Sequence, residues 1–288
     1  MPAPPMDREL PHPHTASQAP GWAPAGVQRP RLTIAVLACN EERHIGQCLQ
    51  SAAFADEVVV VDAGSTDKTV EIARSLGATV HVHADWHGFA VQRNRLLGYA
   101  SGDFVFFLDA DEVISPAFQK ELLAIVAQND RQAVWCIRWQ LVAFGRVLPR
   151  SMSRTRVVRL FPRQLIERFE GVVHEEALLR APAPRRDIQA LLVHYTNPDV
   201  GTSMAKVMQY AMLGAAKRKA QGKRGGVLRG LAAALVAFVR YYLLRLGLLG
   251  GGAGFLYCFF KALESFLRYA ALRYDYERLS DDVQRRSH

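Results

Sequence analysis

Residues 57–83 read EVVVVDAGSTDKTVEIARSLGATVHVH. Residues 57–63 are a valine-rich run that wants cover on both faces, which predicts a buried strand. The next residues are polar and then take a helical pattern. Ser65 or Thr66 can cap that helix, Asp67 lies near its N-terminus, and Gly77 can end it. Residues 78–83 predict another strand. A strand, a helix and a strand joined this tightly make a right-handed parallel unit the natural reading.

The same alternation extends in both directions. Upstream, LTIAVLA (32–38) is an apolar run followed by polar CNEERH and a helical pattern to about Ala53. Downstream, GFAVQRNRLLGYA (88–100) predicts a helix and DFVFFLDA (103–110) a fourth strand. SPAFQKELLAIVAQN (115–129) predicts a further helix, with Ser115 as cap and Pro116 at its first position. This pattern predicts an α/β fold with a mostly parallel sheet flanked by helices. In such sheets ligands bind beyond the carboxyl ends of the strands. Polar clusters occupy those ends: Asn40-Glu41-Glu42, Asp62 through Asp67, and Asp109 to Glu112. Residues 133–144, 155–161 and 191–196 predict more strands, and from about Asp199 to Leu279 the chain reads as helical.

Half of the 288 residues are hydrophobic, enough for one large domain and an appendage. The net charge of +9 is uneven. Residues 31–130 hold 7 basic and 14 acidic side chains, whereas residues 201–288 hold 15 basic and 5 acidic. An acidic first half and a basic tail suggest two tasks in one chain. Cys39, Cys48, Cys136 and Cys258 lack metal-ligand spacing and read as reduced thiols. Residues 1–30 contain eight prolines and no apolar signal-like core, which predicts a disordered extension.

FVFFLDADE (104–112) ends an apolar strand in three carboxylates. In extended chain, residues i and i+2 share a side, so Asp109 and Asp111 are expected to meet one divalent cation. Mg²⁺ or Mn²⁺ prefers oxygen ligands and keeps room for waters and substrate phosphates. Neither a GxGxxG nor a GxxxxGK[ST] phosphate loop follows the first strand.

The segments AVLACNEERHI, VVVVDAGSTDKTVEIA and GFAVQRNRLLGYASGDFVFFLDADE resemble the inverting family 2 glycosyltransferases of GT-A (Rossmann-like) fold. Gly88-Phe89, Gln92-Arg93-Asn94, Arg159-Leu160-Phe161 and Val173-His174-Glu175 are similar to the lipopolysaccharide-core β-glucosyltransferase subgroup. The resemblance covers roughly residues 31–280. It implies a catalytic domain at 31–198, with a nucleotide-sugar half at 31–130 and an acceptor half at 131–198. A helical extension at 199–288 follows. It further implies that Asn40, Glu42 and Asp62 shape the base and ribose pocket. Arg93 and Asn94 would lie near the base or diphosphate, Asp109 near the ribose or metal, and Asp111 on the metal. The simpler role for Asp67 is helix capping.

Inverting transfer needs a carboxylate to take the acceptor proton. Glu175, in FEGVVHEEA (169–177), is the expected base. Glu176 is its neighbour alternative. Glu112 is a further candidate that can instead pair with an arginine. His174 is a candidate metal or phosphate contact. Strand alternation is expected to put Arg154 and Arg156 on one face, toward a diphosphate or an anionic acceptor.

Residues 226–279 are the most apolar region, but Arg229, Arg240, Arg245, Lys261, Arg268 and Arg273 interrupt it. Two amphipathic helices lying at a membrane surface are expected rather than a spanning helix. The alternative is a helical pair packed on protein. The combined expectation is a nucleotide-sugar-dependent enzyme that is peripheral on the inner face of the cytoplasmic membrane. Its expected substrates are a UDP-glucose donor and a glycolipid acceptor such as lipopolysaccharide core. Alternatives are transfer to polyprenyl phosphate or polysaccharide, and a non-catalytic nucleotide-sugar or membrane-surface binding protein. No nucleic-acid partner is expected, because the tail interleaves charge with aliphatic side chains rather than stacking aromatics.

Overall fold

The computed structural model describes residues 29–171 and 176–279. Its centre is a seven-stranded sheet. β1 (Leu32–Ala38) is buried at every position and lies between β2 (Glu57–Asp62) and β4 (Phe104–Asp109), parallel to both. β3 (Thr79–Val82) extends the parallel run beyond β2. On the other side β9 (Val157–Pro162) pairs antiparallel with β4, followed by β6 (Val134–Ile137) and β12 (Arg185–Asp187). The α/β architecture with a mostly parallel sheet flanked by helices is therefore present.

Strand alternation sorts the apolar residues onto two faces. Ile34, Val36, Phe104, Phe106 and Leu108 pack under α1 (Ile45–Ala52), α2 (Thr69–Ser75) and α4 (Pro116–Gln128). Ala35, Leu37, Val105 and Phe107 pack on the opposite face, under α3 (Phe89–Tyr99) and β10 (Ile166–Glu170). β10 pairs with β11 (Glu176–Leu179). Ser115 caps α4 by accepting from the Phe118 N–H, with Pro116 at the first position, as the sequence suggests.

Two local expectations are corrected. Residues 133–144 form two strands in different sheets. β6 joins the main sheet, while β7 (Trp139–Ala143) pairs with β13 (Leu192–Asn197) and β8 (Arg146–Val147). The changeover is at Arg138, whose carbonyl accepts from Leu192. β5 (Glu112–Val113) completes this second sheet against β13. At the other position, α2 begins at Thr69, so neither Ser65 nor Thr66 caps it. Asp67 supports its start by accepting from the Thr69 N–H, in keeping with its capping role.

From Val200 to Tyr274 the chain is mainly helical, as expected. α5 (Val200–Ala220) starts at Asp199, which accepts from the Thr202 N–H. α6 (Val227–Val239) runs into a short π-turn, and α7 (Gly251–Tyr274) returns alongside it. Phe238, Tyr241, Tyr242, Tyr257 and Cys258 dock this hairpin on Leu141, Leu148 and Met152 of the second sheet.

Candidate active site

The strand register places three chain ends at one level: Ala38 lies beside Asp62, and Leu37 beside Asp109. The loops beyond β1 and β2 are knitted together. The Asn40 N–H donates to Ser65 Oγ at 2.8 Å, and Asn40 Oδ1 accepts from the Thr66 N–H at 2.8 Å. The Glu42 N–H donates to Asp67, and Glu42 Oε2 accepts from the Lys68 N–H. Asp62 is fully buried and accepts from the Gly64 and Ser65 N–H groups and from the Ser65 hydroxyl. Gly64 turns this loop with φ +92°, and an added Cβ would press on Ala84 at 3.0 Å. Asn40, Glu42 and Asp62 thus share one rim, with Asp62 bracing it from beneath.

The end of β4 is more heavily charged. Arg159 of β9 donates to Asp109 Oδ2 at 2.6 Å and to Oδ1 at 3.3 Å, and Arg93 of α3 donates to Oδ1 at 3.1 Å. Both arginines are buried, whereas a third of the Asp109 side chain reaches the surface. Burial opposes ionisation of Asp109. The Arg159 and Arg93 charges more than offset it and hold the carboxyl well below the usual carboxylate range. Glu112 lies beneath with no exposed surface. Its Oε2 accepts from the Asp109 N–H, and its Oε1 accepts from Trp139 Nε1 at 2.6 Å and faces Arg159 at 3.5 Å. Burial pushes the Glu112 carboxyl up against the pull of Arg159, and the nearby Asp109 charge adds to the rise.

Asp111 follows in the turn between β4 and β5. The pairing of β5 with β13 sets His194 opposite Glu112. This brings His194 Nε2 to 3.3 Å from Asp111 Oδ2, while the Tyr195 N–H donates to the Asp111 carbonyl. Burial disfavours protonated His194, but the Asp111 bond and the Glu112 and Asp109 charges raise its pKa above the ordinary value. Asp109 and Asp111 therefore take different partners, because a turn rather than continuous strand separates them. Asp109 is neutralised by arginine, and the residues here that could hold a cation are Asp111 and His194. One carboxylate oxygen and one imidazole nitrogen fit Mg²⁺ or Mn²⁺, which complete their shells with water and phosphate oxygens. Among the described residues no three His, Cys, Asp or Glu side chains form a closed metal cage.

Other site expectations change with the geometry. Arg93 is an internal counter-ion for Asp109, stacked near Phe107 and Phe169. Asn94 ties α3 to β10 through both ends of its amide: it donates to the Phe169 carbonyl at 2.9 Å and accepts from the Phe169 N–H at 2.7 Å. Both oxygens of Glu112 have partners inside the core, among them Arg159, the arginine pairing expected as its alternative role. Arg154 and Arg156 precede β9 rather than sharing a strand face. Arg156 pairs with Asp187, and Arg154 is exposed. Glu175 and His174 lie outside the described residues. Glu176, the first residue of β11, borders an open cleft of about 460 Å³ together with Arg93, Trp139, Arg156, Arg159 and Phe169.

Trp139 and His194 join the site without a sequence signal of their own. Arg159 is marked in the sequence by the Arg159-Leu160-Phe161 motif, but not as a counter-ion of Asp109. His194 is 83 positions from Asp111, and only the β5–β13 pairing joins them.

Comparison with known proteins gives this geometry a family. The chain is 28% identical to the lipopolysaccharide core biosynthesis glycosyltransferase LpsC of Rhizobium meliloti (strain 1021), over 83% of this chain and 93% of that one. It is also 28% identical to an uncharacterized glycosyltransferase of Rickettsia bellii (strain RML369-C), over 84% of this chain and 86% of that one. Among solved structures, S. aureus TarS 1–349 in complex with UDP-GlcNAc aligns over 60% of each chain, with 24% identity and a TM-score of 0.45. Residues 33–174 match the family described as Glycosyl transferase family 2, so the chain carries a glycosyltransferase domain of that family.

Proposed function

We propose that this enzyme transfers a sugar, glucose from UDP-glucose, with inversion onto a cell-surface glycolipid of the lipopolysaccharide-core type. The name of the Rhizobium relative supports the acceptor class. The observation that carries the donor half is the Asp111–His194 pair, 3.3 Å apart at the carboxyl edge of the sheet.

In this reading the rim of Asn40, Glu42 and Asp62 receives the base and ribose. Asp111 and His194 would hold the cation. When bound, Mg²⁺ or Mn²⁺ offsets the charge of the departing nucleoside diphosphate. Arg93 and Arg159 keep Asp109 ionised and fixed, so the β4–β5 turn presents Asp111 in one position. The base belongs to the Glu175–Glu176 pair, with Glu175 as the expected proton acceptor. It removes the proton from the acceptor hydroxyl as that oxygen bonds to the anomeric carbon from the side opposite the diphosphate. The helical extension rests on the inner face of the cytoplasmic membrane, where such an acceptor is embedded.

Three measurements test this. Calorimetry with a panel of nucleoside diphosphates should show UDP binding most tightly, and more tightly with Mn²⁺ than without. NMR of the product should show the opposite anomeric configuration from the donor. Equal affinity with and without metal would remove the cation from the reading, and a retained configuration would remove the single-base mechanism. Glu175→Gln should lower kcat by about 10²–10⁴-fold with little change in UDP affinity. Normal turnover by that variant would move the base to Glu176.

A further inference from the structure

At the end of the helical extension where α5, α6 and α7 meet, the link between α5 and α6 is pressed onto the last turns of α7. The Gly226 N–H donates to the Tyr269 carbonyl, and a Cβ on Gly225 would sit 2.5 Å from that same oxygen and 2.7 Å from the Arg273 nitrogen. Only a glycine link allows this approach, and it gathers cations from separate elements. Lys223 and Arg224 of the link, Arg229 of α6 and Arg273 of α7 line an open cleft of about 750 Å³, joined by Arg278. Asp275 and Glu277 are the acidic residues of the lining, so the cleft is net positive. Tyr274 and Tyr276, both exposed, also line it.

An apolar stripe begins at the mouth of this cleft. Leu228 is 82% exposed, and Leu231, Leu235, Val239 and Leu243 continue at helical spacing. Residues Val227–Leu244 have a mean hydropathy of 1.6 and are long and apolar enough to cross a membrane, yet only 6% of them are buried. Arg229 and Arg240 lie at the edge of the stripe, near its start and about four-fifths of the way along. Arginines at the edge of the stripe suit a helix lying in the interface with its charged ends reaching outward.

We propose that the cleft formed by Lys223, Arg224, Arg229 and Arg273 binds the phosphate of an anionic membrane lipid while the α6 stripe lies among the acyl chains. This rests on the membrane-surface reading above and adds a specific headgroup site to it. Cations supply the phosphate contacts, the tyrosines suit the headgroup level, and the leucines take the apolar part. The lipid would then fix which end of the helical extension faces the bilayer.

The test is sedimentation of the full chain with vesicles of phosphatidylcholine alone and with one-third phosphatidylglycerol. The wild type should bind the anionic vesicles at least about tenfold more tightly, a preference that falls with added salt. The triple variant Lys223→Gln/Arg224→Gln/Arg273→Gln should lose this preference while keeping UDP affinity, which reports an intact fold. Leu228→Ser/Leu235→Ser should weaken binding to both vesicle types. A triple variant that retains the preference overturns the cleft and leaves the membrane reading standing. Wild type that binds neither vesicle overturns both. Displacement from vesicles by millimolar inorganic phosphate at constant ionic strength would assign the cleft to free phosphate and overturn the lipid.

Discussion

Arg159 serves two carboxylates at once. It neutralises Asp109, which opens to the crevice, and it faces Glu112, which has no exposed surface. Removing it leaves a buried acid with one less counter-charge, and breaking such a pair costs about 3–5 kcal/mol when both partners are buried. Because a third of Asp109 is exposed, Arg159→Ala should cost about 3 kcal/mol, read as a lower urea midpoint. Arg159→Lys should recover part of the loss, since it restores charge without the two-pronged geometry. Unchanged stability in Arg159→Ala would mean that water replaces the arginine at no cost. The sequence displays the carboxylates but not their division of labour. Asp109 and Asp111 look equivalent as i and i+2, yet their partners come from residues 93, 159 and 194, which only the tertiary fold assembles.

At the scale of elements, the parallel core is readable because its strands are short, apolar and separated by helices of the right period. The split of residues 133–144 is not, since both halves are equally apolar and only a carbonyl bond at Arg138 marks the change of sheet. The loop before β4 shows how elements are pinned. Glu57 of β2 accepts from the Thr33 hydroxyl and from the N–H and hydroxyl of Ser101. Asp103 accepts from the Arg31 N–H and pairs with Arg131. Burial pushes the Glu57 carboxyl up, but the Thr33 and Ser101 bonds outweigh it and lower its pKa. The Arg31 N–H and the Arg131 charge lower that of Asp103. A carboxylate with a depressed folded pKa adds stability above its unfolded value and loses it as pH falls through the folded one. Stability should therefore decline below the ordinary carboxylate range, and Glu57→Gln/Asp103→Asn should make that decline shallower. Denaturant unfolding between pH 6 and 3 measures it, and parallel pH profiles for the two proteins would contradict the assignment.

For the whole molecule, the charge asymmetry is legible in the order of residues alone: an acidic half that builds the rim at the strand ends and a basic helical tail. The fold puts the two to separate use. The acidic cluster is largely consumed internally, by Arg93 and Arg159 at Asp109 and by backbone groups at Asp62. The tail leaves the cations of the α5–α6 link and the leucines of α6 at the surface. Helix existence and amphipathicity follow from composition, but the convergence of the α5–α6 link with the end of α7 depends on glycine contacts that no periodicity reveals.

The account turns on whether the Asp111–His194 pair presents a cation to the donor. Calorimetry of UDP with Mn²⁺ on the wild type and on Asp111→Asn tests it most directly, with thermal unfolding as a check on the fold. The prediction is that Mn²⁺ tightens UDP binding to the wild type, that Asp111→Asn abolishes this gain, and that its unfolding temperature is little changed. A gain of equal size in a folded Asp111→Asn protein would contradict the claim.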